Sequence, residues 1–188
     1  DYFAVGGWSV SPNNEWLAYS TDYISRRMYT VHFKNLLTGE IIQNAISNSS
    51  GSVAWANDNR TVFYTSKNDV TLLSEKIWRH KLGSDSKSGK MVYHEKDDTF
   101  YNGVYRSKSG DYIIIYNLST LVSDFHILNA DKPDGDFVNF SPREKEHEYS
   151  IDHYQDKLYI ISNWDAKNNR LMQTSETKTS KKNWEEVI

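Results

Sequence analysis

Two histidines and two acidic residues near the C-terminal end of the chain are the side chains that most readily suggest chemistry. His147 and His153 could bind a metal ion, and Glu148 and Asp152 could act as paired carboxylates in glycoside hydrolysis. On one extended segment the histidines would be roughly 20 Å apart and the carboxylates about 13 Å apart. Metal–imidazole bonds are about 2 Å long, and glycosidase carboxyls are separated by about 5 Å or about 6.5–9.5 Å. We therefore predict no metal site and no glycosidase site, and expect structural or interface histidines.

The sequence does not match the other motifs that could carry chemistry. A nucleophile elbow requires Gly-x-Ser-x-Gly, and the run Gly83–Ser86 does not match it and predicts a hairpin loop. Asp131–Asp136 comes closest to a calcium loop, but Pro133 occupies a ligand position and cannot coordinate through its side chain. Asp97 and Asp98 are adjacent and would point to opposite faces of a strand, so we expect solvated loop residues. We assign no catalytic, cofactor-binding or metal-binding residue.

The elements that position these residues repeat along the chain. Short turns lead into four apolar runs, and the residues that open the runs are Glu15, Arg60, Asp111 and Lys157. A second marker recurs every 46 residues at Leu36, Leu82, Leu128 and Thr174. Each continuous apolar run predicts a strand that is buried on both faces. A fixed period of this length, with short strands and tight turns, is typical of β-propeller blades.

Each repeat predicts four short strands, and no segment of ten or more residues has helical periodicity. We therefore predict an all-β fold, a β-propeller segment with about four consecutive four-stranded blades. The predicted blades span approximately residues 7–46, 52–95, 103–141 and 148–188. A β-sandwich is the alternative, and it explains the strand content but not the period.

Composition limits the classes of partner. The net charge is −3, so there is no basic excess for nucleic acid. The chain has no cysteine, which excludes disulfides and thiolate metal sites and fits a reducing compartment. The longest apolar run, Tyr112–Tyr116, is far short of the roughly 20 residues that span a bilayer. We expect a cytoplasmic protein with no membrane partner, leaving the periplasm open, and we interpret the chain as a piece of a longer one.

Eight stretches spread over nearly the whole chain resemble the propeller domain of the oligopeptidase B (protease II) branch of the prolyl oligopeptidase family of serine peptidases. They are Ser25–Arg27, Phe33–Leu36, Thr38–Gly39, Trp55–Asp58, Val70–Leu73, Trp78–His80, Glu95–Thr99 and His147–Tyr154. The resemblance implies that these blades belong to a seven-bladed propeller, which is joined to a C-terminal α/β-hydrolase domain that carries the Ser-Asp-His triad. It also implies cleavage of short basic peptides after Lys or Arg, with the propeller acting as a filter for substrate size.

On this interpretation the chain is a non-catalytic gating segment, inactive by itself, of a parent that is a serine oligopeptidase without a cofactor. A free-standing propeller that binds proteins is the alternative function, and a glycan-active propeller is disfavoured by the carboxylate spacing. A cut propeller also leaves the outer faces of its terminal blades exposed, so we expect either closure into a strained four-bladed ring or, as we predict, self-association.

Loops between second and third strands share one face of a propeller with the loops between blades. In this sequence those loops are rich in charged residues of both signs, which suits an interface that opens and closes, because exposed ion pairs contribute only about 0–1 kcal/mol each. We predict that this face meets the hydrolase domain, with a solvated rim as the alternative. The predicted interface residues are Asp22, Arg26, Arg27, Asp97, Asp98, Arg143 and Glu144.

Overall fold

A computed structural model describes residues 1–188, apart from the side chain of Asn44. The described residues form fifteen β-strands and one short 3₁₀ turn at Lys181–Asn183. Every pairing between neighbouring strands is antiparallel. The predicted all-β fold class is therefore confirmed. The strands coincide with the alternating and the continuous apolar runs of the sequence.

The first seven strands form one sheet in chain order. They are β1 Ala4–Val10, β2 Trp16–Asp22, β3 Tyr29–Asn35, β4 Ile41–Trp55, β5 Thr61–Lys67, β6 Ser74–Lys81 and β7 Lys90–His94. Two four-stranded sheets follow. The first contains β8 Tyr101–Arg106, β9 Tyr112–Leu118, β10 Ser123–Asn129 and β11 Val138–Asn139. The second contains β12 Tyr149–Tyr154, β13 Lys157–Ser162, β14 Arg170–Ser175 and β15 Glu185–Glu186.

The long strand β4 replaces two separate strands that the sequence predicts, one at Ile41–Ile42 and one at Ser52–Ala56. Its first part pairs with β3 and its last part with β5, and the register slips between Ser49 and Val53. Gly51 bends the strand there, with a φ of 102° that residues with a side chain rarely adopt. One bent strand therefore ends the first four-stranded group and begins the second.

Four groups of strands result, and we refer to them as blades 1 to 4. Blade 1 is β1 to β3 with the first part of β4, blade 2 is the rest of β4 with β5 to β7, blade 3 is β8 to β11, and blade 4 is β12 to β15. The blade limits 7–46, 52–95, 103–141 and 148–188 stay a prediction.

Three apolar clusters hold neighbouring blades face to face. Blades 1 and 2 meet through residues that include Phe33 and Val62. Blades 2 and 3 meet through residues that include Phe63 and Ile113, and blades 3 and 4 through residues that include Ile114. Fully burying one such side chain contributes about 1.5–3 kcal/mol. The folded chain is therefore held by contacts between sheets as well as by hydrogen bonds within them.

The second strand of each middle blade is more completely buried than the second strand of each terminal blade. In β5 five successive residues, Thr61–Thr65, are buried, and in β9 the run Ile113–Ile115 is buried. In β13, and in β2 as far as Ser20, buried residues alternate with more exposed ones, and Ile161 is 52% exposed. The prediction of burial on both faces is therefore confirmed for blades 2 and 3. Within residues 1–188 blades 1 and 4 each have one neighbouring blade, and their other faces are exposed.

The open outer faces predict that residues 1–188 self-associate when produced alone. Trp8, on blade 1, is 74% exposed and Ile161, on blade 4, is 52% exposed. Leaving several hundred Å² of apolar surface uncovered costs on the order of 10 kcal/mol. Sedimentation velocity over a range of concentrations is expected to show dimers or larger species. Ile161→Lys is expected to weaken the association, whereas Val70→Lys, at an exposed loop position, serves as the matched control. A monodisperse monomer at every concentration would contradict the prediction.

Candidate functional site: the loop face and the inner groove

The predicted interface residues all lie on one face of the stack. Because the strands are antiparallel, loops 23–28, 95–100 and 140–148 emerge at the same end of the blades, which we call the loop face. The opposite end, with the tight turns after β1, β4, β8 and β12, is the turn face. The loop face carries the seven predicted residues Asp22, Arg26, Arg27, Asp97, Asp98, Arg143 and Glu144. The seven differ in what their charges already contact.

Asp22 holds the loop between β2 and β3 in shape. Its carboxylate is buried and accepts backbone N–H bonds from Ile24 at 2.8 Å, Ser25 at 3.1 Å and Arg27 at 2.8 Å. The hydrogen bond from Ile24 is the largest influence that lowers the pKa of Asp22, and burial opposes it. Ser25 and Arg27 have φ values of 63° and 54°. Asp22 therefore positions the loop and is not free to contact a partner.

The loop that Asp22 fixes presents apolar and basic side chains. Tyr23 is 65% exposed and Ile24 is 75% exposed. The ring of Tyr23 lies 5.3 Å from that of Phe3. Arg26 and Arg27 are exposed and take part in no ion pair among the described residues. Aromatic residues and arginine are the types enriched at protein interfaces, so this loop is suited to bind another surface.

Arg143 instead joins blades 2 and 3. Its guanidinium pairs with Glu95 at 2.7 Å and with Asp124, and it lies 3.7 Å from the centre of the Phe100 ring. Glu95 and Phe100 flank the loop after blade 2, whereas Asp124 belongs to blade 3. Both carboxylates are buried. Arg143 is therefore neutralised within the chain.

Asp124 is the most enclosed carboxylate of this cluster. Its Oδ1 accepts a hydrogen bond from Asn117 at 2.7 Å and lies 3.2 Å from His126 Nε2. Burial raises the pKa of Asp124, but the hydrogen bonds from His126, Asn117 and Arg143 outweigh it, and the pKa lies below its ordinary value. The carboxylate therefore stabilises the fold above its unfolded pKa, and that stabilisation is lost as the pH falls through the folded pKa.

The other three acidic residues predicted for the interface, Asp97, Asp98 and Glu144, also differ in whether their side chains have partners. Asp97 accepts hydrogen bonds from the backbone N–H and the hydroxyl of Thr99, at 3.0 and 2.6 Å. Glu144 pairs with Lys181 at 2.8 Å. Asp98 is exposed and has no partner among the described residues. Arg26, Arg27 and Asp98 are thus the predicted interface residues that are free to contact another surface, and whether they do so stays a prediction.

The inner groove is the second candidate site. The innermost strands β1, β4 and β8 line a concave surface with a cavity volume of about 410 Å³. Its lining combines hydroxyls, glycines and aromatic rings with one cation, Arg106. Adding a Cβ to Gly7 would bring it to 2.6 Å from the carbonyl oxygen of Gly51, so β1 and β4 approach closely because glycine is present. The groove is therefore lined by polar and apolar groups alike.

A serine–histidine–glutamate arrangement on the turn face was not found by sequence reasoning. His153 Nδ1 lies 2.8 Å from Ser109 Oγ, and its Nε2 lies 3.4 Å from Glu176 Oε2. Tyr112 donates a hydrogen bond to Glu176 at 3.0 Å. Ser109 Oγ also accepts the N–H of Asp111 within its turn, and His153 is fully buried. We interpret the arrangement as a clasp between blades 3 and 4.

Of the other residues first considered for chemistry, His147 and Asp152 have structural contacts, whereas Glu148 is exposed. His147 lies 2.9 Å from Ser162 Oγ and stacks on Tyr149, and burial lowers its pKa. Asp152 accepts the N–H of Lys108 at 2.9 Å. Among the described residues, no group of three or more His, Cys, Asp or Glu side chains is placed to hold a metal ion. The same residues include no helix that is long and apolar enough to cross a bilayer.

Stacked four-stranded antiparallel sheets with their innermost strands along a common groove define a β-propeller segment. Residues 1–188 match the model of the prolyl oligopeptidase N-terminal β-propeller domain, and the chain belongs to this family. The predicted family and propeller fold are thereby confirmed.

Longer peptidases from bacteria are similar to the whole chain. Dipeptidyl aminopeptidase BI of Pseudoxanthomonas mexicana is 40% identical over 189 residues, which cover 100% of this chain and 26% of that protein. Protease 2 of Moraxella lacunata is 31% identical over 174 residues, covering 92% of this chain and 25% of that protein. The chain therefore spans about a quarter of the length of the curated relatives it matches.

Solved structures support the same fold. Oligopeptidase B from Trypanosoma brucei, in a closed form with covalently bound antipain, has a TM-score of 0.83 and 28% identity, with 94% of this chain and 25% of that chain covered. Oligopeptidase B from Leishmania major has a TM-score of 0.88 at 24% identity, with 96% and 26% covered. In these relatives the matching region is part of a much longer peptidase chain.

The different contacts of the loop-face arginines predict different effects on stability. Arg143→Ala leaves the buried Glu95 and Asp124 without their shared cation, and removing one partner of a buried ion pair costs about 3–5 kcal/mol. Because Arg143 is one-third exposed, we expect about 2–4 kcal/mol in urea unfolding. Arg26→Ala and Arg27→Ala are expected to change the free energy of unfolding by less than about 0.5 kcal/mol. Equal effects of the three substitutions would contradict this assignment.

Proposed function

We propose that residues 1–188 form a non-catalytic propeller segment that restricts access to the active site of a serine oligopeptidase. The parent enzyme cleaves short peptides after Lys or Arg. The observation that carries the proposal is that the entire chain matches the family's propeller domain. The innermost strands of blades 1 to 3 line a groove with a volume of about 410 Å³, which supports a role in admitting small substrates. Specificity for basic residues rests on the resemblance to oligopeptidase B.

The loop face is the surface that we propose to contact the C-terminal α/β-hydrolase domain of the same chain. It presents Tyr23, Ile24, Arg26 and Arg27 on a loop that is held by a buried carboxylate. Arg27 also lies close enough to Lys67 for its charge to lower the pKa of that amine, after the larger effect of burial. An acidic surface would relieve this repulsion between like charges. An apolar and cationic patch therefore suits an acidic partner surface.

A second candidate activity is removal of dipeptides from free N-termini. It is favoured by the 40% identity to dipeptidyl aminopeptidase BI over the full length of this chain. The two activities differ in whether the substrate's amino group must be free. A matched pair of substrates therefore separates them.

Two chromogenic substrates with the same Arg residue before the leaving group test the proposal. One has a blocked N-terminus and several residues, and the other is a dipeptide with a free N-terminus. We expect the full-length parent to cleave the blocked peptide and residues 1–188 alone to cleave neither. Cleavage of the free dipeptide alone would replace the proposed activity by the second candidate. A parent that cleaves neither substrate would contradict both.

Charge reversal in the full-length parent tests the loop-face contact. Arg26→Glu with Arg27→Glu is expected to increase the fraction of open conformers in small-angle X-ray scattering and to raise KM for a short peptide. Arg60→Glu with Lys87→Glu, at two exposed positions of the turn face, is the matched control. Unchanged scattering and unchanged peptidase activity in the double variant would contradict the proposed contact.

A further inference from the structure

Arg106 differs from the other arginines of the chain in its environment. The described residues place three arginines in ion pairs with carboxylates and three on the exposed surface; these are Arg79, Arg143 and Arg170, and then Arg26, Arg27 and Arg60. Among those residues, Arg106 is the one half-buried guanidinium that lacks a carboxylate partner, and it lines the inner groove. Partial burial of a cation without a counter-ion is unfavourable for the free energy of folding. An anion bound at this guanidinium would reduce that cost.

Neutral groups hold the Arg106 guanidinium in place. Its Nη2 donates a hydrogen bond to the Oδ1 of Asn57 in blade 2, and Asn57 Nδ2 donates in turn to Asp131 at 2.7 Å. The Nε of Arg106 is buried and has no partner. A Cβ at Gly110 would lie 2.5 Å from Nη2, so the glycine leaves the space that the guanidinium occupies. The cation is therefore oriented before any anion arrives.

The position of Arg106 along the groove sets the size of the ligand that can reach it. β8 runs from Tyr101, beside the loop face, to Arg106, beside the turn face. A six-residue strand is about 20 Å long. An extended peptide that enters from the loop face would therefore need roughly six residues to reach the guanidinium.

We propose that Arg106 binds the C-terminal carboxylate of a peptide that extends through the inner groove from the loop face. The ligand is the leaving side of a peptide substrate, and this inference rests on the proposed function. A guanidinium can bind a carboxylate through two parallel charge-assisted hydrogen bonds. The groove would then favour substrates whose leaving side is long enough to place a free carboxylate at the turn face.

Peptides that differ in length and at the C-terminus test this in the full-length parent. Two carry a leaving side of about eight residues and end in a free carboxylate or an amide, and two carry a leaving side of about two residues with the same pair of ends. We expect KM to be on the order of tenfold lower for the long acid than for the long amide. The short acid and the short amide are expected to have equal KM values.

Substitution of Arg106 is expected to remove the preference for the long acid. Arg106→Gln should bring the KM ratio of the long pair close to one, and Arg106→Lys should keep part of it. Arg60→Gln, an exposed and unpaired arginine beside the turn face, is the matched control and should keep the wild-type ratio. If the Gln variant does not fold, inhibition of the wild-type enzyme by the long leaving-side peptide, as acid and as amide, measures the same preference.

The outcomes separate this inference from the proposed function. A parent that cleaves the short peptides but has the same KM for the long acid and the long amide would overturn the inference and leave the proposed function intact. A preference that persists in Arg106→Gln, or that is equally large for the short pair, would also overturn it. A parent without peptidase activity would instead overturn the proposed function.

Discussion

Face-to-face packing of neighbouring sheets is the constraint on which the rest of the molecule depends. Ile113 and Ile114 show it most directly, since these adjacent residues of β9 are fully buried in two different clusters, one toward blade 2 and one toward blade 4. A middle blade must therefore be apolar on both faces. The antiparallel order of the strands then places the charged loops on one face of the stack and the tight turns on the other.

Polar contacts at those ends fix how the blades meet. Trp55 Nε1 donates to the carbonyl oxygen of Ser9, and the Tyr105 hydroxyl donates to that of Ile151. Each pair is 46 residues apart, which is the period of the repeat, so equivalent positions of adjacent blades are joined. These bonds align the innermost strands that line the groove. The Arg143 cluster on the loop face joins blades 2 and 3, and the His153 clasp on the turn face is a second contact between blades 3 and 4.

The sequence was sufficient to predict the strands, because apolar runs, turn residues and a constant period follow from local geometry. It did not predict the continuity of β4, which depends on the φ of Gly51. Nor did the apolar run containing Ile161 indicate that one face would be exposed, since burial depends on a neighbouring blade.

The candidate sites were only partly predictable from the sequence. The charged loops could be assigned to one face from the strand order. The sequence could not distinguish Arg143, which is neutralised by Glu95 and Asp124, from Arg26, which is free. Those partners are 48 and 19 residues from Arg143 and have no shared motif. The sequence likewise could not show that the Arg106 guanidinium lacks a carboxylate partner, because its hydrogen-bond acceptor, Asn57, belongs to another blade.

The most direct test of the stacked-sheet account is the free energy of unfolding of two single variants of residues 1–188, Ile113→Ala and Ile114→Ala, measured in urea at one protein concentration. Both side chains are fully buried, and truncating a buried isoleucine to alanine costs about 2–5 kcal/mol. Two neighbouring residues of one strand point to opposite faces of its sheet. The account predicts that both variants lose stability by amounts in this range. A large loss in one variant with less than about 0.5 kcal/mol in the other would show a sheet covered on one face alone and would contradict it.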